Sequence, residues 1–203
     1  MVKTKQRLEQ TIEALCDELY WGVRSFYAAK IVFETELRLT PTLFDTFYFS
    51  CLDQSALILS RMVVAKDEAK DDGSINLQYL ANLAENNPSA FQYAKPGEIR
   101  NLVQEQTQLF ELHKSSIQIL KDQRDQNLAH LDRRHVNDPK WREIETQIDL
   151  SQVEKLYQGL IGIMITYYRL FFDGELGFAN WGIVTDAEVK NLIEYYEAYQ
   201  SKV

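Results

Sequence analysis

The chain is short of the residues that interrupt regular structure, with four Pro and eight Gly in 203 residues. A many-stranded sandwich needs turn formers roughly every ten residues, so their scarcity disfavours that class and favours long helices. Cysteine is also scarce. Cys16 and Cys51 lie in apolar patterns rather than in a paired motif, and free, reduced, buried thiols are expected. No apolar run is long enough to cross a bilayer; Leu160 to Phe172 is too short and contains Arg169. The first ten residues carry charge without the apolar stretch of a signal peptide. A cytoplasmic protein with no membrane partner is therefore expected.

Several chemical signatures are missing as well. There is no glycine-rich phosphate loop, no nucleophile elbow and no Cys-x-x-Cys. A helical bundle invites comparison with di-iron proteins, which need Glu-x-x-His on two helices, yet that string does not occur. The net charge of -8 argues against a general nucleic-acid coat, because phosphates are neutralised by clustered Lys and Arg.

What is present is helical periodicity over most of the length. Leu8, Ile12, Leu15, Leu19, Val23 and Phe26 form one stripe in a helix from about 4 to 38, with Gly22 marking a kink or a close crossing. Thr40-Pro41 opens a second helix to about Lys66. A short helix from about 75 to 85 stops at Asn86-Asn87-Pro88. Next, a long helix starts near Pro96 and carries Ile99, Leu102, Val103, Gln106, Leu109, Phe110, His113, Ile117 and Leu120 inward. His113 is best read as a satisfied core histidine. Ser151 to Glu154 and Thr185 to Glu188 each match a capping box. The first opens an apolar helix of about 152 to 172, stopped by Asp173-Gly174, and the second opens a terminal helix. No strand alternation competes. The expected fold is all-α, an antiparallel up-and-down four-helix bundle with additional short and C-terminal helices. It forms one domain over 1-203, with a core of about 4-173 and a helical appendage of about 174-203.

One stretch differs from these packing segments. Residues 119 to 135 hold two of the three histidines and the densest Arg run. From Lys121 to Arg142 six Lys or Arg face four Asp, a net of +2 that leaves -10 on the rest. His130, Asp132 and His135 have spacings that can converge on a metal, but Arg133 and Arg134 between them would repel a cation, so no metal is expected. An anion or phosphate site suits the charge; the competing reading is a polar helix end that only caps and solvates a turn. On an ideal helix Arg124 and His130 would point about 120° apart. They converge only where the helix ends or distorts, or where a second copy supplies the missing half.

The string Arg124-Asp-Gln-Asn-Leu-Ala-His130-Leu-Asp132 resembles the Arg-x(4–6)-His motif of the HEPN superfamily, in its abortive-infection, AbiU-like branch. Ala129, Asp132 and the polar Asp125 after the Arg strengthen the likeness, which covers roughly residues 1 to 175. Gln126 departs from it, since related sequences often carry Lys there. The resemblance implies a homodimer with two motifs facing one cleft, and a metal-independent, cofactor-free endoribonuclease in a toxin or antiphage setting. His130 would be general base or acid, Arg124 would stabilise phosphate charge, and Asp125 would orient one of them. Asn127, Arg133 and Arg134 would complete the RNA- and phosphate-binding surface, and an antitoxin protein would be a partner. The alternative is a non-catalytic HEPN-like helical module that binds a nucleotide or a protein.

Overall fold

The computed structural model describes residues 2–35, 42–63, 75–129, 149–174, 187–191 and 194, with backbone alone at 2, 42, 43, 45 and 123–129. Every regular element among them is helical: α1 (Val2–Glu34), α2 (Thr42–Met62), α3 (Leu77–Asn86), α4 (Glu98–Leu112), α5 (Lys114–Ala129) and α6 (Leu150–Phe172). A single 3₁₀ turn, Pro88–Ala90, follows α3, and residues 187–191 are helical. None of these helices is long and apolar enough to cross a membrane.

The six apolar residues expected to form one stripe on α1 are each 1 % exposed or less. They pack against α2 and α6, both of which run antiparallel to α1. Arg61 near the end of α2 reaches Glu18, while Tyr48 near its start stacks on Phe33. Along α6, Glu154 takes two hydrogen bonds from Lys30 Nζ at 2.9 and 2.8 Å, and Tyr157 lies against Phe26 at 5.4 Å between ring centroids. Gly22 marks a close crossing. A Cβ there would stand 2.7 Å from Tyr157 Oη and 2.9 Å from Ile58 Cγ2. At that crossing the buried Ser55 and Tyr157 hydroxyls are 2.7 Å apart. The pair satisfies two polar groups that would otherwise be costly to bury.

The expected long helix starting near Pro96 begins at Glu98 and is interrupted at His113, whose backbone adopts φ -104° and ψ 17°. Ser115 and Ser116 just beyond are weaker helix formers than their neighbours. The break lets the two halves follow different partners: α4 packs on α6 and α3, and α5 packs on α2. His113 itself is buried, as the apolar stripe implied. Gln106 is buried too; its amide donates to the Leu77 carbonyl at 3.1 Å and its side-chain oxygen accepts from Tyr167 at 3.4 Å.

One helix start uses another cap than the sequence suggested. At α6 the cap is Asp149, whose carboxylate accepts from the backbone N–H of Ser151 at 2.9 Å and of Gln152 at 3.4 Å. Glu154, expected to close a capping box with Ser151, is drawn instead to Lys30, a partner distant in sequence. The short helix is capped by Asn76, which accepts from Tyr79 N–H at 2.8 Å. Helix α2 ends at Met62, short of the expected Lys66, while Thr40-Pro41 and Thr185 lie outside the described residues. Asp173, in the left-handed conformation at φ 56°, ends α6 ahead of Gly174.

A smaller apolar cluster forms where Ala28, Val32, Phe44, Tyr48 and Leu52 meet Val189. Beside it Glu188 accepts from Arg24 at 2.6 Å, so residues 187–191 are docked on α1 and α2. Both cysteines are free, Cys16 buried and Cys51 half-buried. Burial pushes their thiols up to about 12 and about 11, so neither is a thiolate nucleophile at neutral pH.

Candidate functional site

Helix α5 carries the first part of the motif, Arg124 to Ala129. Its buried line is Ile117, Leu120 and Lys121, spaced three and four residues apart. Arg124 follows Ile117 by seven, so the backbone register continues that line through position 124. Positions 125 and 127 fall on opposite flanks of 124, about 100° and 60° away. Three of the sequence-derived site residues, Arg124, Asp125 and Asn127, are thus gathered on the last turns of α5. His130 immediately follows the final helical residue, Ala129, and lies with Arg133 and Arg134 outside the described residues, as do Asp132 and His135.

The surroundings of α5 are unusual for a helix packed on a core. Lys121 is buried, at 8 % exposure, three residues before Arg124. Lys121 lines a concavity of about 630 Å³ bounded by α3, α4, α5 and Val63 at the end of α2. Sequence reading singled out Arg124 and its neighbours and counted Lys121 only for its charge; the concavity it lines joins three helices and has no local signal.

Burial, and then the charge of Lys155, holds the His113 imidazole below its ordinary range, so it is neutral near pH 7. No cluster of His, Cys, Asp or Glu suited to a metal occurs among the described residues. Arg24 and Lys30 are engaged with Glu188 and Glu154. An arginine in the motif is suited to anions, since the guanidinium fork matches phosphate oxygens in pairs.

Every regular element among the described residues is helical, and the Arg-to-His string begins on the last turns of α5. A family model described as AbiU2 matches residues 5–199, nearly the whole chain, and the chain belongs to this AbiU2 family of HEPN proteins. The match extends past residue 175, where the resemblance read from the motif stopped. Comparisons with curated proteins and with solved structures found no significant match.

Proposed function

We propose that this protein is a metal-independent endoribonuclease of the HEPN type, working in the cytoplasm in a toxin or antiphage setting. Its active site is composite, built from two copies of the chain. The observation carrying this reading is the placement of Arg124, Asp125 and Asn127 on the closing turns of α5, directly ahead of His130, in a chain of the AbiU2 family. One helix cannot turn Arg124 and His130 toward a common point, and a symmetry-related α5 supplies the other half.

In this mechanism His130 removes the proton from a ribose 2′-hydroxyl. The 2′-oxygen attacks the adjacent phosphorus, the bond to the 5′-oxygen breaks, and that oxygen leaves with a proton donated by the protonated His130 of the second copy. Products are a 2′,3′-cyclic phosphate and a free 5′-hydroxyl. Arg124 stabilises charge on the phosphate oxygens as it develops, and Asp125 orients the catalytic pair. Asn127, Arg133 and Arg134 hold neighbouring phosphates. An antitoxin protein that covers the cleft would be the natural regulator.

The test is cleavage of single-stranded RNA in EDTA by the parent and by His130→Ala, with sedimentation to establish the dimer. Loss of general acid–base catalysis should lower cleavage by about 10²–10⁴-fold. Equal cleavage by both proteins, or a monomer that cleaves at full rate, would overturn the composite site.

A further inference from the structure

The outward line of α2 is Ser50, Gln54, Leu57 and Arg61, all exposed and three or four residues apart. From Ser50 to Leu57 this line has no charge, although 26% of the chain is charged. The nearest acid, Asp53, is half-buried and already has an interaction partner. Other outward lines are charged, with Glu13 and Asp17 on α1, Glu105 on α4, and Lys155 and Arg169 on α6. Trp21 joins the α2 line from the side. Glu18 and Arg61 are 2.8 Å apart, and one turn beyond that contact the antiparallel pair brings Trp21 level with Leu57. Trp21 is 53 % exposed and Leu57 38 %. A charge-poor face around a tryptophan and an aliphatic side chain has the make-up of an interface core.

The place of this face relative to the motif decides what covers it. Helix α2 packs on both α1 and α5. Helix α4 runs antiparallel to α6, since Gln106 meets Tyr167 and Leu109 meets Gly159. Backbone hydrogen bonds from His113 N–H to Leu109 and from Ile117 N–H to His113 keep α5 on the heading of α4. Because α2 and α6 are both antiparallel to α1, α5 runs antiparallel to α2. Ile117 and Lys121 share a concavity with Val63, at the end of α2. From there α5 returns along α2 residue for residue, which brings position 127 level with residues 53–57. Position 127 is also the midpoint of the Arg124-to-His130 string. A two-fold axis crossing α2 at this level sets two strings antiparallel, the Arg124 end of one opposite the His130 end of the other.

We propose that a second copy of this chain docks on the outward face of α2, with the two-fold axis level with Leu57. This rests on the composite-site reading and deepens it by naming the interface that completes the site. Gln54 and Leu57 lie nearest the axis and meet their own counterparts, while Trp21 packs at the rim on the α1 side. Such an isologous contact closes on itself at two copies.

The experiment reads the interface without using cleavage. Gln54→Cys and, as a control on α4, Glu105→Cys are each made in a chain carrying Cys51→Ser, then oxidised and run on a non-reducing gel. A residue near a two-fold axis bonds to its own counterpart, because the two Cα atoms come within about 7 Å. A covalent dimer is expected from Gln54→Cys and none from Glu105→Cys. Sedimentation velocity then compares parent, Leu57→Glu and Trp21→Ala, after circular dichroism shows equal helix content. Leu57→Glu sets two carboxylates face to face and should weaken association about a hundredfold. Trp21→Ala should weaken it roughly tenfold or more. Cross-linking by Glu105→Cys in place of Gln54→Cys would overturn this interface. A parent that stays monomeric at about 100 μM would overturn it too and leave the face to a different protein. A dimer that cross-links through Gln54→Cys yet cuts no RNA removes the nuclease alone. A dimer that cuts RNA and keeps its affinity in Leu57→Glu removes the interface alone.

Discussion

The two sides of this bundle are built on opposite terms. Where α1, α2 and α6 meet, the helices are long and unbroken, and Gly22 lets them approach closely. The buried hydroxyls there are paired with each other, Ser55 with Tyr157. Along α4 and α5 the helix is broken at His113, polar residues face a concavity, and a lysine is buried beside the motif. The second side leaves room for a ligand in its concavity. A protein can carry an open polar groove on one flank when the other flank supplies most of the apolar burial.

That contrast can be broken from the packed side first. Phe26→Ala removes a fully buried ring lying against Tyr157 and should cost about 3–5 kcal/mol in urea unfolding. A loss below 1 kcal/mol, on the order of an exposed substitution, would mean the α1–α6 contact is not the centre of stability. Gly22→Ala sets two effects against each other, a helix-propensity gain of up to ~1 kcal/mol and an overpacking cost of ~1–3 kcal/mol. Its Cβ meets atoms at 2.7 and 2.9 Å, so overpacking should win and leave a net destabilisation. Gly162→Ala, in α6 with nothing within 4 Å, should do the reverse and stabilise by up to about 1 kcal/mol. Opposite signs for these two variants in the same assay are the sharpest check on the crossing.

The next effect depends on pH. His113 is held below its ordinary value of 6.5 by burial and then by Lys155. Below pH 6.5 the unfolded chain takes up this proton more readily than the folded one, so stability should fall with acidification. His113→Gln should flatten that part of the curve, and an unaltered acid slope would refute the assignment. Smallest of all, Gln104→Ala, exposed at the concavity, should change stability by less than about 0.5 kcal/mol. A large loss there would show that the concavity is part of the core.

Much of this was legible from local pattern alone. The α1 stripe, the inward Gln106 and His113 and the stop at Asp173 all follow from helical periodicity and a short string. Interactions that join residues distant in the chain were not legible. Glu154 satisfied every local criterion for a capping box with Ser151, yet a lysine 124 positions earlier claims it, because an ammonium within 3 Å outcompetes a backbone N–H. Glu188 is likewise taken by Arg24.

The amino-acid order by itself determined the helical class, the inward faces and the family motif, since each depends on residues within a few turns. Tertiary structure decided which helix each face would meet. It broke the α4–α5 helix so that its halves could serve two neighbours, and it turned Gly22 into a crossing point. It also gathered polar residues of α3, α4 and α5 around one concave surface. Burial and concavity arise from the relative placement of whole helices, and no local pattern encodes that placement.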